Sequence, residues 1–219
     1  MNDGTIRIVL ADDERMVRTA LRVILDAEAG LEVVGEAATG AEAVSVVREL
    51  RPDVVLMDVR MPEVDGIRAT ERILATMDDP PRVVVVTTFE HDSYVYEALR
   101  AGAAGFLLKR AAAEDLVQAV RLVARSDSLL FPAAVRGLAA EYGKRQAAAP
   151  AWVARLTGRE ADVLRLVAAG LTNAEIARRL AVGPATVKTH VAAVLAKTGA
   201  RDRTQAVIAA YESGFITPG

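Results

Sequence analysis

The chain has no cysteine, only two histidines, one tryptophan, and aromatic residues at just 4% of its 219 positions. The lack of cysteine excludes disulfides and thiolate metal sites and allows a reducing compartment. Two histidines argue against a zinc centre. With few aromatics beside 52% hydrophobic residues, the core must be built mainly from Ala, Val and Leu. No apolar run approaches the roughly 18 residues needed to cross a bilayer. The start, MNDGTIRIVLADDE, lacks the basic stretch, apolar core and cleavage site of a secretory signal. The expectation is a soluble, cytoplasmic protein with no membrane partner.

What is present divides by charge. The net charge of −2 hides nine Lys/Arg against five Asp/Glu from Val153 to Gly219, which leaves eighteen against twenty-four in the remainder. An acidic part joined to a basic part suggests two jobs, the basic one suited to nucleic acid. The length suits one large domain or two ordinary ones.

From residue 5 to about 124, short β-rich runs alternate with helical stretches. Strands are predicted at Ile6–Leu10, Leu31–Ala37, Val54–Met57, Val83–Val86 and Gly105–Leu108. Helices are predicted near Glu14–Ala27, Ala41–Leu50, Ile67–Met77, Asp92–Ala101 and Ala113–Ala124. Five βα units imply an α/β fold with a parallel sheet covered on both faces. Right-handed crossovers favour the flavodoxin-like strand order 2-1-3-4-5, whose switch point lies between strands one and three.

Asp12 and Asp13, Asp58, Thr87 and Lys109 follow or close strands one, three, four and five. Carboxyl ends of parallel strands line one crevice, where such sheets bind ligands. Three carboxylates there can hold Mg²⁺, which takes oxygen ligands: Asp13 directly, Asp12 through water, and Asp58 as both ligand and nucleophile. Lys109 adds a mobile positive charge, and Thr87 can hydrogen-bond a newly formed phosphate. Taken singly, each residue also fits a cap, a turn or a solvated surface position.

Beyond Arg125 the segment SDSLLFP reads as a turn, PAAVRGLAAEY as one more helix, and GKRQAAAP (143–150) as a connector reaching about 25 Å if extended. The chain then turns wholly helical. Thr157–Glu160 and Thr172–Glu175 have capping-box spacing. Helices are expected at about Arg159–Ala169, Asn173–Leu180, Pro184–Thr198 and Thr204–Ser213, with Val182–Pro184 as a tight turn and Gly199 as a stop. The domains read as 1–125, a helical or flexible linker 126–152, and an all-α four-helix domain 153–219.

In the third of these helices, Val187, Val191 and Val194–Leu195 form a core-facing stripe. Lys188, Thr189 and Ala192 lie on another face. Two helices joined by a short turn satisfy the helix-turn-helix description, and a plain helical bundle fits the same pattern. In the first reading, Lys188 can donate to guanine and the Thr189 methyl can pack on thymine. Asn173, Thr186, His190 and Lys197 are then candidates for phosphate contact.

The segments VLADDE, VVLMDVRMPEVDG, VVVVTTF and ALRAGAAGFLLK resemble the receiver domain of two-component response regulators over about residues 5–124. The stretch from LTGRE through GLTNAEIA, TVKTHV and KTGARDR resembles the LuxR-type DNA-binding domain over about 154–216. Together they are similar to the NarL/LuxR-type (NarL/FixJ) response regulators. The resemblance implies that Asp58 accepts phosphate from a sensor histidine kinase and that the Arg60 backbone carbonyl completes the metal site. It also implies that Thr87 moves toward the phosphate while Phe106 reorients. For the second half it implies a recognition helix within Leu180–Lys197 and a fourth helix able to pair two copies. The implied partners are double-stranded DNA half-sites, a second copy of the chain on activation, and RNA polymerase.

Three positions depart from that pattern. Arg110 follows Lys109 where many receivers have proline, Ala192 replaces a longer polar side chain, and Gly183 replaces a serine cap. The expected protein is a phosphorylation-switched transcription regulator and not an enzyme. A second reading keeps the DNA-binding module and makes the receiver a phosphorylation-independent scaffold for dimerisation or ligand sensing. A Mg²⁺ phosphohydrolase ranks third, since the sequence offers no second acid for a leaving group.

Overall fold

The computed structural model describes residues 4–88, 93–125, 130, 132–142 and 150–217. The chain forms two compact units, Met1–Arg125 and Ser126–Gly219.

The first unit contains β1 (Ile6–Ala11), α1 (Arg15–Asp26), β2 (Leu31–Ala37), α2 (Gly40–Leu50), β3 (Val54–Asp58), α3 (Gly66–Thr76), β4 (Arg82–Thr87), α4 (Ser93–Ala101), β5 (Gly105–Leu108) and α5 (Ala113–Arg125). The strands form one sheet in the order β2-β1-β3-β4-β5, all pairs parallel. This is the expected doubly wound arrangement. β3 is buried along its whole length, as a strand covered on both faces must be. A cluster of Val9, Ala11, Val55, Met57, Ile73, Leu74 and their neighbours forms one core layer. The expected start of the fourth helix at Asp92 lies outside the described residues.

Register brings the site together. Ala11 pairs with Met57, Asp58 with Val86, and Thr87 with Leu108. The residues that follow or end these strands therefore converge at one edge of the sheet. Two glycines allow the close approaches this needs. A Cβ on Gly66 would sit 1.9 Å from the Asp58 carbonyl oxygen, and one on Gly40 would sit 2.2 Å from that of Val64. Only a residue without Cβ lets α3 begin directly against the end of β3.

The second unit contains α6 (Pro132–Tyr142), α7 (Ala151–Arg155), α8 (Gly158–Ala168), α9 (Asn173–Leu180), α10 (Pro184–Thr198) and α11 (Arg203–Glu212). The four expected helices are α8 to α11. Both capping boxes form: Thr157 N–H donates to Glu160 at 2.7 Å and Thr172 N–H to Glu175 at 2.7 Å, with the reciprocal bonds at 3.3 Å. Pro184 opens α10 and Gly199 closes it with φ 72°. Ala181, in the α9–α10 turn, adopts left-handed φ 51° without being glycine.

Two helices that fall wholly or partly in the expected linker, α6 and the start of α7, are packed within this unit. α6 lies against α11, buries Val135, Leu138 and Ala139, and donates from Arg136 to the Ala168 carbonyl at the end of α8. Trp152 in α7 joins Leu164, Val194, Ala206 and Ala210 in the core. Residues 143–149 of the expected connector (143–150) lie outside the described residues.

Candidate functional site

At the carboxyl edge of the sheet, Asp12, Asp13 and Asp58 each present an oxygen within 4.8 Å of the others. Asp12 and Asp58 are buried, whereas Asp13 is exposed. Asp13 also lines a cleft of about 680 Å³ with Arg60, Met61, Asp65, Arg68 and Tyr94.

Lys109 bridges the cluster. Its Nζ lies 2.8 Å from Asp12 Oδ2, 2.9 Å from Glu14 Oε1 and 3.0 Å from Asp58 Oδ2. The Lys109 backbone N–H donates to the Thr87 carbonyl at 2.7 Å, which seats the lysine beside the end of β4. Thr87 and Phe106 are both buried. The Arg60 backbone N–H donates to Asp58 Oδ1 at 3.4 Å.

Burial pushes the Asp58 carboxyl up, the Lys109 hydrogen bond opposes this, and the Asp12 charge adds to the rise. For Lys109 burial disfavours the charged form, but its bonds to Asp12, Glu14 and Asp58 outweigh that and hold its pKa above the ordinary lysine value. The ammonium is therefore firmly protonated among acids that repel one another.

The residues fit a divalent cation. Asp12 Oδ2 is buried, with the Lys109 ammonium 2.8 Å away as its charge partner. Three converging carboxylates, two of them buried, are the hard oxygen donor set that Mg²⁺ takes.

On α10, Val187 and Val194 are buried, whereas Ala185, Lys188, Thr189, Ala192 and Ala196 are exposed. These positions lie on one face of the helix, at the three- and four-residue spacings that share a side. Thr186 is also exposed and His190 half-buried. The Thr189 hydroxyl donates to the Ala185 carbonyl at 3.1 Å, which leaves its methyl for apolar contact.

Two of the candidate phosphate contacts are held inside the unit. Lys197 donates to both Glu160 carboxylate oxygens, at 2.8 and 2.6 Å, and so ties the end of α10 to the start of α8. The Asn173 amide oxygen accepts from buried Arg203 at 2.8 Å, and the same guanidinium donates to the Leu171 carbonyl at 2.9 Å. Sequence reasoning missed these internal bonds, and it missed Glu14 as a partner of Lys109 95 residues away. Glu14 stood next to the acidic pair in VLADDE, but nothing in the local pattern pointed it toward β5. Exposed Arg178 and Arg179, in the last turn of α9, were also overlooked beside the turn.

The fold and site define a parallel α/β domain with an acidic crevice at its sheet edge, followed by a helix-turn-helix domain. Residues 8–121 match the response regulator receiver domain, and residues 154–210 match the luxR family of bacterial regulatory proteins. The chain is 39% identical to the transcriptional regulatory protein YxjL of Bacillus subtilis over 218 residues, 99% of this chain and 100% of that protein. It is 38% identical to the response regulator VraR of Staphylococcus aureus over 212 residues, 97% of this chain and 99% of VraR. Among solved structures it resembles the response regulator ChrA of a heme-sensing two-component system. There the TM-score is 0.53 and the identity 34%, covering 97% of this chain and all of that one. The chain belongs to the LuxR-type two-component response regulators, DNA-binding proteins that control transcription rather than enzymes. Membership implies a histidine kinase and DNA as partners. No helix among the described residues is long and apolar enough to cross a membrane.

Proposed function

We propose that Asp58 is the phosphorylated residue and that its acyl phosphate, formed from a sensor kinase's phosphohistidine, controls how the C-terminal unit binds DNA. The observation that carries this reading is the convergence of Asp12, Asp13 and Asp58 within 4.8 Å, with Lys109 3.0 Å from the acceptor carboxylate.

In the transfer, an Asp58 carboxylate oxygen attacks phosphorus as the P–N bond to the kinase histidine breaks. The bonding pair leaves with the imidazole, which takes up a proton. Asp12, Asp13, Asp58 and the Arg60 carbonyl would hold Mg²⁺, which would neutralise the phosphoryl oxygens when bound. Lys109 donates to a phosphoryl oxygen from the β5 side. Thr87 closes on the phosphate through its hydroxyl, and Phe106 turns with it as the bistable element between strands four and five changes state.

In the C-terminal unit, Lys188 and Thr189 read bases from α10 in a major groove. Thr186, His190, Asn173 and Lys197 are the phosphate-contact candidates, the last two only after leaving their internal partners. Activation pairs two copies on half-sites about 34 Å apart, in the cytoplasm and within reach of RNA polymerase.

A gel shift tests the switch. Wild type and Asp58→Asn are incubated with acetyl phosphate and Mg²⁺, then compared on promoter DNA and by light scattering. Only treated wild type should gain affinity and oligomer size. Equal behaviour of all samples would leave a DNA-binding regulator with a phosphorylation-independent receiver.

A further inference from the structure

We propose that Glu14 is a positioning residue for Lys109: its carboxylate holds the ammonium before phosphoryl transfer and releases it to the phosphorylated Asp58. The proposal rests on Asp58 being the acceptor.

An ammonium has three N–H donors, and three carboxylates surround that of Lys109: Asp12, Glu14 and Asp58 at 2.8–3.0 Å. A phosphoryl oxygen arriving on Asp58 competes with these carboxylates for the ammonium. Asp12 is buried, with a side-chain exposure of 3%, and belongs to the cation site. Asp58 is the residue being modified. Glu14, at 60% side-chain exposure, returns to water at the least desolvation cost.

The placement of Glu14 suits this role. It is the N-cap residue of α1, yet its side chain caps nothing. Its backbone N–H donates to Asp12 Oδ1 at 2.8 Å, which anchors its main chain to the acidic cluster. The side chain thereby reaches across to a lysine that follows β5. Sharing Lys109 with Glu14 weakens its pull on the incoming phosphoryl group until the exchange.

The test uses the full chain in two arms. In the absence of metal, amine acetylation is followed by peptide mapping. Lys109 in Glu14→Gln should label about two- to fivefold faster than in wild type, the range expected from losing one exposed ion pair. Lys188 serves as internal reference. In the second arm, acetyl phosphate with Mg²⁺ labels Asp58, and Glu14→Gln should be phosphorylated faster by a similar factor. Glu14→Asp, one methylene shorter, should fall between the two. Glu32→Gln, at the other end of the sheet, should match wild type. In a Lys109→Gln background the Glu14→Gln effect should vanish.

An undiminished effect in that background would show that Glu14 acts on the donor directly and would overturn the proposal. So would Lys109 labelling equal to wild type. Failure of wild type to accept phosphate at Asp58 would instead sink the acceptor reading, while the metal-free arm would still decide whether Glu14 holds Lys109.

Discussion

The Asp58 carbonyl has no room for a methyl group beside it, because a Cβ at position 66 would sit 1.9 Å away. Gly66→Ala should therefore destabilise the receiver by about 1–3 kcal/mol through overpacking and shift the end of β3. Calorimetry and acetyl phosphate labelling of Asp58 would both register it. A second buried acid behaves differently. The Lys197 ammonium and then the Thr157 backbone N–H hold the Glu160 carboxyl down to about 2 against the opposing effect of burial, from an ordinary 4.5. Since the folded value lies below the unfolded one, the stabilisation is complete above pH 4.5 and is lost as pH falls toward 2. Allowing for solvent at the half-exposed lysine, it should amount to about 1–2 kcal/mol. Trp152, the chain's sole tryptophan, packs at 6.1 Å from Phe215 in this unit, so its fluorescence in acid unfolding reports the loss. Lys197→Met should flatten that pH dependence.

Among the elements, α10 divides its duties by face. Val187 and Val194 bind it to the core, Lys197 clamps its end, and Lys188 stays exposed. Lys188→Ala should thus weaken specific DNA binding by about 1–3 kcal/mol, or about fivefold to 150-fold, without lowering the unfolding midpoint. Anisotropy titrations at several salt concentrations, beside urea unfolding, separate the two effects. Lys197→Ala should show the opposite balance, losing stability before affinity. The pattern of valines revealed which face of α10 is buried. It could not reveal that Lys197 has a carboxylate partner 37 residues earlier, because that pairing exists only once α8 and α10 cross. Capping boxes, by contrast, were readable at Thr157 and Thr172, since a cap closes within three residues.

At the scale of the molecule, the family match to the DNA-binding domain begins at residue 154, but the compact unit begins at Ser126. α6 buries Val135 and Leu138 against a fold whose last helix, α11, is buried at Ala206, Val207, Ile208, Ala210 and Tyr211. A helix apolar on most sides needs partners on most sides. A fragment of residues 150–219 should accordingly be less stable than one of residues 126–219 by about 2–5 kcal/mol, measured by Trp152 fluorescence in urea. Equal stability would mean that α6 adds nothing. By itself the sequence determined the strand and helix order, the sheet topology and the convergence of Asp12, Asp13, Asp58, Thr87 and Lys109. Periodicity, caps and strand-end positions are local, and parallel topology converts them into one crevice. Only tertiary structure decided that Glu14 shares Lys109, that Lys197 and Asn173 bond inward, and that α6 joins the second unit. Each of those depends on distances between residues remote in the chain, which no short-range pattern encodes.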